Sequence, residues 1–238
     1  MRRSRTRSAR HDNPTPPDRF YRPMKRKFLI IIVLLALTGS SLADSPTVDQ
    51  LLERHHKASE GLEDVQAKAK LKLKVVVGVF PYSEDLSGSY YYLKPNHHRL
   101  EFDDAPSYFD KAPSLFKWDL PTLEKYKTKV KGPYQEDGSA VFQLLFLPQN
   151  SASSTQSVLC TFDATTWRLT KQTTTYRDGG SVSLKFNYVP DSELPVLDKV
   201  TADVNIPSYS LTGAATISFS NQETNQGLDE SLFEKPED

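Results

Sequence analysis

Residues 67–75 read Ala67-Lys-Ala-Lys-Leu-Lys-Leu-Lys-Val75, and this stretch decides the fold class. Lys68, Lys70, Lys72 and Lys74 alternate with Ala69, Leu71, Leu73 and Val75, a period of two that belongs to a strand. One face is therefore cationic and wet and the other apolar. The lysines also discourage pairing with other chains. On the N-terminal side, Thr47 can cap a helix from Val48 to about Ser59, with Asp49 in its first turn and Gly61 as its stop. Leu51, Leu52 and Ala58 form its apolar side, so it must lie on something. On the C-terminal side the strand runs to Phe80, and Pro81–Ser87 reads as a loop. A strand follows from Gly88 to Lys94, then a turn at Pro95-Asn96 and a short strand His97–Phe102. Residues 103–118 contain Pro106 and Pro113 and read as a loop or irregular edge, and Lys125–Lys131 alternates again. The apolar run Ala140–Leu147 fits strand or buried helix equally. Beyond Pro148, strands are expected at 157–163, 167–176, 181–189, 199–206 and 214–221, with a hairpin signal at Arg177-Asp-Gly-Gly180. The expectation is nine or ten strands in an antiparallel meander behind one helix, covered on one face and wet on the other.

The 238 residues carry no net charge, but the balance is uneven. Residues 1–43 hold ten Lys/Arg against two Asp, a net of +8, which leaves −8 on residues 44–238. A folded part this acidic is a poor binder of phosphate backbones, so nucleic acid is not an expected partner. Lys25, Arg26 and Lys27 precede ten apolar residues, Phe28–Leu37, and Ser41-Leu42-Ala43 offers a small-residue cleavage site. Ten helical residues span about 15 Å, half of a hydrocarbon core of about 30 Å. Residues 1–43 are thus expected to be an N-terminal extension and cleaved signal peptide, with either Met1 or Met24 as the start. Residues 44–238 are expected to be one exported, soluble domain. The single cysteine, Cys160, excludes an internal disulfide framework and is not placed for lipid attachment after Ala43.

Catalytic chemistry finds little support. The doublets His55-His56 and His97-His98 cannot chelate alone, because neighbours point apart on a helix or strand. Solvated surface histidine is the expected reading, and no metal or other cofactor is called for. Cys160 shares a strand face with Val158 and Phe162 and reads as a small buried hydrophobe. Asp103-Asp104, Glu136-Asp137 and Asp229-Glu230 sit among turn residues, and a hydrolase built on them has no positive support. The aromatics offer more. Tyr90-Tyr91-Tyr92 with Phe80, Phe102, Phe186 and Phe219 give the sheet more apolar surface than one short helix readily covers. That surface is either a core closed by other elements or an apolar groove for a ligand.

Three runs stand out in order: Gly88-Ser-Tyr-Tyr-Tyr-Leu-Lys-Pro-Asn-His-His-Arg-Leu-Glu-Phe102; Cys160-Thr-Phe-Asp163 to Trp167-Arg-Leu-Thr-Lys171 followed by Asp178-Gly179; and Ile217-Ser-Phe219 with Asn225-Gln-Gly-Leu228 and Leu232-Phe233. Their order and type resemble the LolA-like lipoprotein carriers. The resemblance spans nearly all of 47–235. It implies a mainly β (α+β) fold of the LolA/LolB type: a curved, incomplete antiparallel barrel with a helical lid. It implies a periplasmic, non-enzymatic carrier of lipoprotein or lipid acyl chains, with an inner-membrane release complex and an outer-membrane acceptor as partners. A protein-binding sensor or scaffold on the same fold is the alternative. The expected lipid-binding residues are Leu71, Leu73, Val75, Tyr91, Leu100, Phe102, Leu184 and Phe186. The expected lid is the helix 48–60 with the segment 140–147, held shut by Lys94 or Arg99.

Overall fold

The alternation at 67–75 belongs to a longer strand, β1 (Asp64–Val77), in a computed structural model that describes residues 45–105 and 118–233. The readings of 1–43 as a leader and of most of 103–118 as a loop lie outside the described residues. β1 turns through Gly78 and Val79 into β2 (Phe80–Leu93), so that Val77 faces Phe80 and Asp64 faces Leu93. Gly78 takes a φ of +63°, the left-handed region that glycine occupies without strain. β2 runs unbroken through Pro81, where a loop was expected. The next strand, β3 (His97–Phe102), pairs only with residues 88–93, so Pro81 lies on a stretch with an open edge, where a missing N–H is tolerated. Gly88 permits the close approach of β2 and β3, since a Cβ there would lie 1.8 Å from the Glu101 carbonyl oxygen.

Seven more strands follow: β4 (Tyr126–Glu136), β5 (Ser139–Pro148), β6 (Thr155–Asp163), β7 (Leu169–Tyr176), β8 (Ser181–Tyr188), β9 (Leu197–Ile206) and β10 (Leu211–Thr224). Their order in the sheet is β3-β2-β1-β10-β9-β8-β7-β6-β5-β4, every pair antiparallel. The last strand returns to pair with the first along almost its whole length, Val65 with Thr224 through Val77 with Leu211. The sheet curves without closing, and β3 and β4 form its two ends. The run 140–147 is β5, hydrogen-bonded to β4 on one side and β6 on the other. It is an interior strand with Leu144 and Phe146 fully buried, and this corrects its expected role as part of a lid.

The single α-helix among the described residues, α1 (Val48–Ala58), begins with a reciprocal capping box. The Gln50 N–H donates to Thr47 Oγ1 at 3.2 Å and the Thr47 N–H to Gln50 Oε1 at 3.0 Å. Its capping residue at the far end is Ser59, two residues before the expected Gly61. Leu51 is driven completely into the core. The His55 ring meets Phe162 edge-on with centroids 5.1 Å apart, and the Arg54 guanidinium stands 4.5 Å from the Trp167 ring centroid. The helix thus rests on the concave face, near β6 and the turn after it. The inner residues of the alternating strands, among them Leu71, Leu144, Phe162, Val200 and Ile217, form one continuous core.

A clasp fixes the start of β1. Asp64, almost fully buried, accepts the backbone N–H groups of Gln226 and Gly227, each at 2.8 Å. Asn225 completes it by accepting the Glu63 N–H at 2.9 Å and donating to the Gly61 carbonyl at 2.9 Å. The Asn225-Gln-Gly-Leu228 segment thus ties the end of the chain to the link between helix and sheet.

Candidate functional site: an aromatic cavity beneath the helix

Between α1 and the concave face lies a cavity of about 380 Å³. Leu52 and His55 of α1, with its capping Ser59, form one wall, and Leu62, Val65 and Ala67 another. Tyr90, Tyr92 and His98 line the β2–β3 side, Phe186, Tyr188 and Phe219 the far side, and Trp118 and Leu120 close it from the segment before β4. Such a site, mostly apolar with a few fixed polar groups, is typical of small-molecule pockets. Tyr90 packs against Phe219 and Trp118, with centroids 4.7 and 5.4 Å apart.

The polar groups are few and mostly partnered. Tyr90 Oη lies 3.0 Å from His98 Nδ1, and Tyr188 Oη donates to the Leu169 carbonyl at 2.7 Å. Burial pushes both phenols above the usual tyrosine range. His98 also sits 3.6 Å from the Asp119 carboxylate, and its side chain is 26% exposed. Burial, with His97 beside it, lowers its pKa to about 4, so the ring is neutral near pH 7. Burial likewise lowers the pKa of His55, whose Nδ1 lies 2.9 Å from the Trp167 carbonyl oxygen. One member of each histidine doublet is therefore set against aromatic rings, but His56, His97 and His98 stay exposed, so the reading as solvated surface groups is corrected for His55 alone. Trp118 keeps its Nε1–H buried and without a hydrogen-bond partner among the described residues. The Cys160 thiol is fully buried, with its pKa pushed up to about 12. No group of three or more His, Cys, Asp or Glu able to hold a metal ion occurs among the described residues.

The eight expected wall residues divide. Phe186 lines the cavity. Leu71 and Leu184 are buried in the concave face, and Leu73, Leu100 and Phe102 pack on the same core while partly open. Val75 lies further along β1 toward the hairpin tip. Tyr91 faces Gln66 and Arg99 across its neighbours and so stands on the outer side of the sheet, leaving Tyr90 and Tyr92 to face the cavity. Lys94 lies at the cavity mouth, donating to the Glu60 carbonyl just beyond α1 at 3.2 Å and to Glu63 at 2.9 Å. Arg99 instead donates to the Leu232 carbonyl and pairs with Glu101. Sequence reasoning missed Tyr90, Tyr92, His98 and Trp118 as the aromatic lining. The signal that could have found the two tyrosines is the two-residue turn at Gly78-Val79.

No family model and no curated protein matches the sequence. Solved structures do. A domain described as an outer membrane lipoprotein-sorting protein domain, from Vibrio parahaemolyticus, superposes with a TM-score of 0.54 at 16% identity, over 77% of this chain and 94% of that one. A DUF1329 family protein from Desulfovibrio piger gives 0.50 at 12% identity, again over 77% of this chain and 94% of that one. A LolA superfamily protein from Nitrosomonas europaea gives 0.46 at 10% identity over 80% and 99%. The likeness is one of fold: this chain's ten-stranded, curved and unclosed antiparallel sheet with its helix superposes on the lipoprotein-sorting domain, so the fold is LolA-like, as the sequence resemblance implies.

Proposed function

We propose that this protein is an exported, periplasmic carrier that shelters an acyl chain of a lipoprotein or lipid between α1 and the concave sheet, and performs no covalent chemistry. The observation that carries this reading is the aromatic cavity of about 380 Å³ beneath a single helix. Each methylene removed from water is worth about 0.8 kcal/mol, so a sixteen-carbon chain carries on the order of 10 kcal/mol gross. Such a chain needs cover to cross an aqueous compartment. The buried Trp118 N–H is a donor that a carbonyl or carboxylate at the head of the chain can satisfy. In this reading α1 is the lid, and Lys94, bonded to the Glu60 carbonyl, helps hold its end down. Arg99 holds the C-terminal segment instead. Delivery then requires a release complex at the inner membrane and an acceptor at the outer one. No helix among the described residues is long and apolar enough to cross a membrane.

Native mass spectrometry of protein purified from a bacterial periplasm tests the reading. Extra mass that organic extraction removes and fatty-acid analysis identifies is the expected result. Bare protein that takes up neither lipid nor an apolar dye would turn the reading toward a protein-binding scaffold with a closed core. For the lid, Lys94→Leu should speed dye entry and release several-fold. An unchanged rate would remove Lys94 from the gating mechanism.

A further inference from the structure

At the end of the sheet away from α1, apolar side chains point into solvent. The β1–β2 tip exposes Val76, Val77, Val79, Phe80 and Tyr82, with Val79 at 82% and Phe80 at 65%. Beside it, the 3-10 turn Pro207–Tyr209 between β9 and β10 exposes Tyr209 at 74%. The two turns form one corner, because the Gly78 N–H donates to the Ser210 carbonyl at 2.8 Å and Val77 pairs with Leu211. Neither residues 75–82 nor residues 206–213 contain a charged side chain. Six large apolar or aromatic groups gathered at an uncharged corner are far from the scattered exposure of an ordinary surface.

What lies next to the corner identifies its partner. Lys74, Lys72, Lys70 and Lys68 run back from the tip along the outer face of β1, all exposed, in a domain that is acidic as a whole. A second copy of this chain would set lysine row against lysine row. A surface with an apolar interior and anionic headgroups satisfies both features at once, since Val and Phe enter the acyl boundary, Tyr prefers the interface, and lysines are attracted to anionic lipid. We infer that the Val76–Tyr82 tip with Tyr209 docks this protein end-on upon an anionic phospholipid bilayer, with Lys74, the lysine nearest the tip, at the headgroups.

The inference does not depend on the cavity holding lipid, and its test separates the two. The purified protein should float with vesicles of phosphatidylcholine mixed with phosphatidylglycerol and bind those of phosphatidylcholine alone much more weakly. Raising the salt should release it. The double variant V79S/F80S should bind at least about tenfold more weakly, given the area those side chains bury. Lys74→Gln should lose about fivefold, and Lys72→Gln, which lies further from the tip and opposite Asp85, less. A Phe80→Trp variant should shift its emission to the blue with anionic vesicles, reporting insertion directly. Both tip variants should keep the far-UV and near-UV circular dichroism of the parent. Failure of the parent protein to bind anionic vesicles would overturn the inference and leave a protein partner for the corner. Equal binding by V79S/F80S, with no blue shift at position 80, would overturn it as well. Vesicle binding without dye uptake would support docking while sinking the carrier reading, and the reverse result would sink docking alone.

Discussion

The two ends of the β1–β2 hairpin obey the same rule and meet opposite fates. Both alternate, inner residue against outer residue, over fourteen residues per strand. At the end near α1 the inner residues Val65, Ala67, Ala69 and Tyr90 are buried under the helix and the cavity aromatics. At the tip, the inner-phase residues Val77, Phe80 and Tyr82 are exposed. Alternation therefore fixes which way a side chain points and not whether anything covers it. Coverage comes from other elements: α1, which directly precedes β1 in the chain, and the distant Asn225–Gly227 clasp that holds the start of β1 in place.

The comparison can be broken most forcefully at the clasp. Asp64→Ala leaves two backbone N–H groups without a charged acceptor and should cost about 4 kcal/mol in urea unfolding. A loss under about 1 kcal/mol would mean that the clasp does not organise the covered end. Next comes a pair on the inner phase of β1. Leu71→Ala, in the packed core, should cost about 3 kcal/mol, whereas Val77→Ala, at the tip, should stay within about 0.5 kcal/mol. Similar losses at both positions would show that the tip is covered in solution.

The smallest effect is on pH dependence. An unfolded histidine titrates near 6.5, whereas His98 in the folded protein titrates at about 4, and the pKa of His55 is lowered too. Between those values the unfolded chain binds more protons. The contribution of these rings is thus full above about pH 6.5 and is lost as pH falls toward 4. Tyr90, Tyr92, Asp119 and His97 are the titratable groups around His98. Melting curves from pH 7 to 4.5 should fall less steeply for His98→Gln than for the parent. Parallel curves would show that His98 is not shielded.

Much of this fold was legible in the sequence because period-two alternation survives in isolation. The lysine stripe, the strands at 157–163, 181–189 and 199–206, and the helix capped by Thr47 all rest on local chemistry. Register was not legible, and register decides the site. With Gly78 and Val79 as the turn, Tyr90 falls opposite Ala67 and Tyr91 opposite Gln66. Reading Pro81–Ser87 as a loop hides that turn, and the face of every residue in the tyrosine triplet is lost with it. Ala140–Leu147 was ambiguous for another reason. An apolar run is compatible with either periodicity until its neighbours are known, and two flanking strands decide it. The ring contacts of His55 and His98 depend on Phe162, Trp167 and Trp118, which no local pattern brings near them.

The open seam between β3 and β4 has a consequence for what the molecule can hold. In a closed barrel, strand number and shear set the bore, and girth changes only when strands are added. A sheet that ends at two unjoined edges has no fixed circumference. Its curvature can relax or tighten by small changes spread over nine strand pairings, with no ladder broken. The width of the concave face becomes a matter of elasticity rather than of strand count.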